Sequence, residues 1–185
     1  MKRPSALFLI AAAWVTSGIL LQADGLNPAA QARLDQIRDE AAGWAADPVV
    51  VEAVAAQNRA LPAELAEITQ EKWDALSDKS PVIQRFINHP VAQILHAKGG
   101  RRITEAFVSD ASGRKVAFLA KTTSWSHLGK PKHDIPMTGK AWQGKIEVDR
   151  SAGTQQIQLS VPVLSEGTPV GSLVIGVPAT SLAGE

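Results

Sequence analysis

The segment Thr154–Leu164, TQQIQLSVPVL, alternates apolar residues with polar residues or proline, and the segment Thr168–Pro178, TPVGSLVIGVP, is a nearly continuous apolar run. An alternation with a period of two predicts a half-buried strand, whereas a continuous apolar run predicts a strand that is covered on both faces. The residues between the two segments, Ser165–Gly167, are typical of a turn. We therefore predict two consecutive strands here, and we expect the preceding part of the chain to cover their sheet.

Three further strands are predicted before these two. Thr104–Ser109 and Lys115–Ala120 flank Asp110–Gly113, a hairpin turn whose glycine can adopt a positive φ. A long connection, Lys121–Lys140, then leads to a third alternating strand, Trp142–Asp149. The sequence thus predicts a hairpin, a long connection and three antiparallel strands.

The part of the chain before the strands is predicted to be helical. Asn27, Asp47 and Ser80 each precede a proline, which is the arrangement of an N-cap followed by proline in the first helical turn. Further along, the predicted helices are Pro62–Leu76, Pro81–Asn88 and Pro90–Ala97.

This order of elements predicts an α+β fold, with an N-terminal helical layer packed on a five-stranded antiparallel sheet. We expect the helical segment 24–102 and the sheet 103–180 to form one domain, 24–180. The chain has 185 residues, of which 45% are hydrophobic and 20% are charged, as in ordinary globular proteins.

Charge, cysteine content and the N-terminus restrict the partners and the compartment. The formal net charge of +1 gives no basic excess for a polyanion, so nucleic acid is not an expected partner. The absence of cysteine excludes disulfides, thiolate nucleophiles and Cys-ligated zinc. Basic Met1–Arg3 followed by apolar Ser5–Leu21 is typical of a secretory signal. We expect residues 1–23 to be a signal peptide or an uncleaved anchor, and the protein to be periplasmic.

Several motifs resemble Cache domains, which are also called PDC sensor domains. They are Ala106–Gly113, Ser160–Val163 and Gly167–Val177, together with Ser80–Ile83 and Ile103–Glu105 in the helical half. The resemblance implies a PAS-like antiparallel sheet with a long N-terminal helix on one face and a small-molecule pocket on the other. In this family the segment between the second and third strands roofs the pocket. The implied role is extracytoplasmic sensing and not catalysis.

The resemblance also suggests partners. Many relatives are the outer part of a chemoreceptor or a histidine kinase. Here the sequence ends at Glu185, soon after the last strand. We therefore expect the chain to signal through a membrane partner such as a sensor kinase or a chemoreceptor. A ligand-free periplasmic adaptor with the same fold is the alternative.

The connection Lys121–Lys140 is the first place to look for a ligand, because long loops in compact domains are usually functional or mobile. It contains four lysines and two histidines but one carboxylate, which suits an anionic metabolite such as a carboxylate. Trp125 is a candidate wall, Thr123 and Ser124 are candidate donors, and Lys130 or Lys132 is the candidate charge. A solvated basic loop with Trp125 in the core is the alternative. The amino-acid-binding signature of double Cache receptors is not recognisable.

The second candidate region is the polar side of the fourth strand. Its members Gln156, Gln158 and Ser160 point either into a pocket or to solvent. Trp142 is either a core residue or a wall of the pocket. The full set of candidate ligand-binding residues is Thr123, Ser124, Trp125, His127, Lys130, Lys132, Asp134, Trp142, Gln158 and Ser160.

Metal binding and catalysis have weaker support. His127, His133 and Asp134 have side chains that bind metals, but no Cys or Glu cluster accompanies them, so no metal is predicted. Ser124 shares the loop with His127 and Asp134, but the chain has no nucleophile elbow and no glycine-rich nucleotide loop. We therefore predict neither an enzyme nor a cofactor.

Overall fold

A computed structural model of the chain describes residues 26–149 and 154–182, so the expected signal segment 1–23 lies outside this part. The α-helices are α1 (Pro28–Ala45), α2 (Pro48–Arg59), α3 (Ala63–Ala66), α4 (Gln70–Ala75), α5 (Pro81–Ile87), α6 (Pro90–Gly99) and α7 (Pro131–Asp134). The strands are β1 (Glu105–Asp110), β2 (Lys115–Phe118), β3 (Trp142–Asp149), β4 (Thr154–Ser165) and β5 (Thr168–Pro178). Short 3₁₀ helices lie at Gly100–Arg102, Pro136–Thr138 and Ala179–Leu182.

The five strands form one antiparallel sheet in the order β2-β1-β5-β4-β3. The predicted α+β fold is therefore confirmed, and β3 and β5 have the predicted bounds. The hairpin between β1 and β2 turns at Gly113, whose φ of 72° is in the left-handed region that favours glycine. β5 pairs with β1 and β4, which places the continuous apolar run at the centre of the sheet.

Local signals set most of the helix starts. The side chains of Asn27, Asp47 and Ser80 accept hydrogen bonds from backbone N–H groups in the first turns of α1, α2 and α5. His89 does the same for α6 through Nδ1. Each of these helices has proline in its first turn, where the missing N–H costs nothing.

Two predicted elements differ in the structure. The helix predicted over Pro62–Leu76 is divided into α3 and α4, because Thr69 is extended and its hydroxyl accepts a bond from the N–H of Lys72, which starts a new helix. The connection Lys121–Lys140 is not all loop, since it contains α7 and a 3₁₀ turn. Asp134 Oδ1, at the end of α7, accepts a bond from the N–H of Gly129, which precedes this helix. We call Lys121–Lys140 the covering segment.

One face of the sheet, which we call the helix face, packs against α1, α2 and α6. Its buried strand side chains are apolar and belong to the larger core cluster, except for Asp110, whose Oδ2 accepts a bond from Gln57 of α2. From the strands they are Ala106, Val108, Val116, Ala117, Ile157, Leu159, Val161, Val163, Leu173, Ile175 and Val177. Since every second residue of β4 belongs to this set, its alternation is explained by burial against the helices.

The other face, which we call the segment face, lies under the covering segment. It presents Glu105, Phe107, Ser109, Lys115, Phe118, Gln158, Ser160, Ser172 and Val174. Its aromatic residues join a second cluster with Trp73, Phe86 and Trp125. Among the residues that the structure describes, no helix is both long and apolar enough to cross a membrane.

Candidate functional site

A buried lysine lies at the centre of the segment face. Lys115, the first residue of β2, has a relative exposure of 0%. Its ammonium nitrogen contacts His127 Nδ1 and lies 3.4 Å from Ser109 Oγ. It also lies 4.3 Å from the centroid of the Phe107 ring, a distance suited to a cation–π interaction.

A bulge in the first hairpin brings Lys115 to this face. β1 pairs with β2 through Val108 and Ala117, but the register then shifts so that Ser109 pairs with Lys115. The extra residue, Val116, turns with Ala117 toward the helix face. Lys115 and Phe118 therefore share the segment face although they are three residues apart.

His127 belongs to the covering segment, and its side chain packs against β1. Its ring stacks on Phe107, with centroids 4.8 Å apart and planes inclined by 15°. Its backbone N–H donates to the carbonyl of Gly113, and Gly113 has no room for a Cβ atom because the backbone of Leu128 would lie 2.3 Å away. Burial, followed by the charge of Lys115, lowers the pKa of His127 to about 2, so this imidazole is neutral at ordinary pH.

Two lysines of the covering segment, Lys130 and Lys132, lie near Lys115 of β2. Lys132 Nζ donates to Gln158 Oε1 at 3.0 Å, and Gln158 Nε2 donates in turn to Glu105 Oε1. Lys130 Nζ donates to Ser124 Oγ at 2.7 Å. Both lysines are half-buried, and Lys132 also lies 5.8 Å from the centroid of the Phe107 ring.

The positive charge of this cluster is not balanced by carboxylates. Within residues 26–149 and 154–182, no ion pair includes Lys115, Lys130 or Lys132. Burial, and then repulsion from the other two lysines, places the pKa of Lys115 well below its usual value. The pKa of Lys132 is also lowered, chiefly by burial. A bound anion would supply the missing counter-charge.

Ser160 provides a free hydroxyl on the same face of β4 as Gln158, the residue that bonds to Lys132. It is 1% exposed, and its Oγ has no hydrogen-bond partner among the residues that the structure describes. Ser160 pairs with Trp142 on β3, whose ring extends over Gly144. A Cβ atom on Gly144 would lie 2.9 Å from that ring, so the glycine gives the indole its space. A buried hydroxyl without a partner costs free energy, and a ligand atom can remove this cost.

His133 lies on α7 and is held firmly. Its Nδ1 is 2.8 Å from Ser172 Oγ, and its Nε2 is 3.4 Å from the carbonyl of Ala111. The side chain is fully buried, and burial lowers the pKa of His133. Because both ring nitrogens have protein partners, His133 anchors the covering segment to the sheet.

The structure brings some of the predicted candidates together and separates others. His127, Lys130, Lys132, Gln158 and Ser160 come together around the segment face, with Trp142 at its edge. Trp125 lies instead in the aromatic cluster, where its ring centroid is 5.2 Å from that of Trp73. Thr123 is exposed, and its carbonyl accepts a bond from Gln70.

The polar side of β4 is covered by other parts of the chain, since Gln158 bonds to Lys132 of the covering segment and Gln156 bonds to Thr104. Gln156 is 6% exposed and Ser160 is 1% exposed, so the alternative interpretation of an open polar face is wrong for these two residues.

Neither a catalytic triad nor a metal centre forms in the covering segment. Ser124 contacts Lys130, His127 contacts Lys115, and Asp134 bonds to the backbone of Gly129, so the three side chains have separate partners. Within the described ranges 26–149 and 154–182, no group of three His, Cys, Asp or Glu residues has the arrangement of a metal site.

Sequence analysis missed Lys115, Ser109 and Phe107 as site residues. The predicted hairpin places Ser109 opposite the start of β2, so it could have indicated that Lys115 lies next to Ser109. A regular alternation along β2, however, would place Lys115 on the same face as Ala117 and opposite to Phe118. The bulge that reverses this pattern leaves no mark in the sequence.

Comparison with other proteins shows the fold. No family model matches this chain, and no curated protein sequence matches it. The sensor domain of the Vibrio cholerae histidine kinase DctB is similar in structure, with a TM-score of 0.50 and 12% identity over 83% of this chain and 53% of that one. The sensory domain of the Campylobacter jejuni chemoreceptor Tlp3 has a TM-score of 0.47 and 14% identity over 83% of this chain and 57% of that one. The chain thus spans about half the length of these domains.

These sensor domains are of the Cache or PDC type, and this chain has their fold, as its sequence motifs predicted. The structural similarity shows a common fold, and at 12% identity it shows the fold alone, so the ligand must be argued from this chain's own residues.

Proposed function

We propose that this chain, which has the fold of Cache-type sensor domains, is a periplasmic sensor module that binds a small anionic metabolite. A carboxylate is the simplest such ligand. The observation that carries this proposal is the group of three lysine amines, on Lys115, Lys130 and Lys132, which converge under the covering segment without an ion-pair partner among the described residues.

The physical argument concerns the cost of burying charge. A lysine that loses water without gaining a counter-charge destabilises the folded protein, and a fold keeps several such groups together when they serve a function. An anion between them would recover part of this cost. The unpartnered hydroxyl of Ser160 can donate a hydrogen bond to the same anion.

Binding at this place would move the covering segment. Lys115 and Ser160 are buried, so a ligand reaches them only after the contacts of Lys132 and His127 with the sheet have opened. The bound and free forms would therefore differ in the position of the covering segment. We propose that a membrane partner, such as a sensor kinase or a chemoreceptor, reads this difference.

The alternative, a ligand-free adaptor, predicts a filled pocket and an exposed apolar patch on the helical half. Among the described residues of that half, Val49 is the exposed large hydrophobic side chain, with 45% exposure. A single exposed valine is ordinary for a protein surface. This distribution favours the sensor.

Thermal unfolding with matched pairs of compounds tests the proposal. Acetate and malonate are compared with acetamide and malonamide, which have similar shapes without the charge. At 100 times its Kd, a ligand stabilises the folded state by about 2.7 kcal/mol, so at least one carboxylate should raise Tm while its amide does not.

Variants locate the site. Lys132→Gln should abolish the Tm shift, because it removes a cation that points to Gln158. Lys79→Gln, which removes the same charge from an exposed turn, should leave the shift unchanged. A flat response to all small anions, or a shift that is equal in the two variants, would reject the proposed function.

A further inference from the structure

Lys115 differs from the other two lysines in the depth of its amine. Lys130 and Lys132 are half-buried and can keep contact with water, whereas Lys115 is fully buried. The groups that surround its nitrogen are neutral. They are Ser109 Oγ, His127 Nδ1 and the face of the Phe107 ring.

The charged groups around Lys115 do not compensate its charge. On β1, Asp110 uses its carboxylate to accept bonds from the N–H groups of Ser112 and Arg114 and from Gln57, while Glu105 accepts from Gln158. On the covering segment, Lys130 and Lys132 repel a positive charge at Lys115, and neutral His127 and His133 face it from the same segment. Repulsion from the two lysines affects the pKa of Lys115 more strongly than attraction by the two carboxylates does.

A buried amine with neutral neighbours loses its proton more easily than an amine in water, and a negative group beside it favours the protonated form. The surroundings suit both forms. Neutral His127 can accept a hydrogen bond from either an amine or an ammonium group, and the face of Phe107 stabilises the ammonium form.

We propose that Lys115 is the innermost contact of the anionic ligand, and that ligand binding is coupled to the uptake of one proton by Lys115. This inference rests on the proposed function, since it concerns the same site. It adds that the sensor's affinity depends on pH. In the range between the pKa of Lys115 without anion and its higher pKa with anion, affinity falls about tenfold for each unit of pH increase.

Isothermal titration calorimetry measures this proton directly. Sulfate and oxalate are suitable probes because both stay fully ionised near neutral pH and so exchange no protons themselves. Each is titrated into the purified protein in Tris and in imidazole buffer, whose heats of ionisation differ. The buffer dependence of the binding heat should correspond to about one proton taken up per anion bound.

Two variants assign the proton to Lys115. Lys115→Met should bind the anion at least tenfold more weakly and take up no proton. Lys115→Arg keeps a permanent charge, so it should bind without proton uptake and with an affinity that is nearly independent of pH. Where a variant does not fold, the pH dependence of Kd in the unmodified protein still tests the coupling.

The possible failures are distinct. If neither anion binds, the proposed function and this inference are both rejected. If an anion binds with no proton uptake and a Kd that is independent of pH, the coupling is rejected while the proposed function stands. If Lys115→Met binds and takes up a proton like the unmodified protein, the assignment to Lys115 is wrong.

Discussion

Leu159 and Ser160 are neighbours in β4, and both side chains are 1% exposed, yet they lie on opposite faces of the sheet. Leu159 packs in the apolar cluster of the helix face. Ser160 lies on the segment face with a hydroxyl that has no partner in the described part of the chain. Burial is therefore the same on the two faces, and the difference lies in how well the buried groups are satisfied.

This difference separates a face whose buried groups are satisfied within the protein from a face that buries polar groups without full compensation. The helix face gains stability from apolar area removed from water, and its buried carboxylate, Asp110, is satisfied by bonds from Gln57 and from the N–H groups of Ser112 and Arg114. The segment face buries amines, imidazoles and hydroxyls, which reduce stability unless each has a partner. A ligand that supplies the missing partners would therefore stabilise the segment face more than the helix face.

The largest test of the comparison is a truncation on the helix face. Leu173→Ala in β5 removes a side chain that is 1% exposed in the apolar cluster, and it should lower the free energy of unfolding by about 2–5 kcal/mol. Urea denaturation measures the loss. Leu164→Ala, at a position with 41% exposure on β4, is the control and should change stability by less than about 0.5 kcal/mol. Equal losses would show that the helix face is not the main core.

The next test is a decrease in pH, which should act through the segment face. The pKa values of His127 and His133 are lowered in the folded protein, to about 2 for His127, from the usual 6.5. The unfolded chain therefore binds more protons than the folded one below pH 6.5, and stability falls as pH decreases. The slope approaches about 1.4 kcal/mol per pH unit for each group.

Urea denaturation at pH 7 and at pH 5 measures this loss. His127→Gln should reduce the dependence on pH, whereas His96→Gln, at an exposed position of α6, should leave it unchanged. A stability that does not change between the two pH values would contradict the burial of these imidazoles.

The smallest test compares two serines of the segment face. Ser172→Ala removes the partner of a buried nitrogen of His133, and it should cost about 1–3 kcal/mol. Ser160→Ala removes a hydroxyl that has no partner in the described residues, so it should change stability by less than about 0.5 kcal/mol. Both variants replace a serine by an alanine, so each is the control of the other in chemical denaturation. A large loss from Ser160→Ala would mean that its hydroxyl already has a protein partner.

Much of the architecture could be predicted because it depends on local patterns. Alternation and apolar runs located β3 and β5 with their observed bounds. The caps at Asn27, Asp47 and Ser80 were predictable because each side chain bonds to an N–H group within three residues of itself. The division between α3 and α4 was missed, since Thr69 is a good cap but not a strong helix breaker.

The site was less predictable, because its members are distant in sequence. The basic composition of Lys121–Lys140 indicated an anion, but it could not show that Trp125 packs with Trp73 in an aromatic cluster. It also could not show that Lys132 bonds to Gln158, a residue on another strand.

The sequence by itself determined the strands, the helix starts and the resemblance to Cache domains, because these depend on the order of neighbouring residues. Only the tertiary structure decided that Lys115 faces His127 under the covering segment. A bulge in the first hairpin reverses the side to which Lys115 points, and the folding of the segment over the sheet removes it from water. Neither event is encoded by a residue pattern, since both depend on contacts between parts of the chain that meet only in the folded protein.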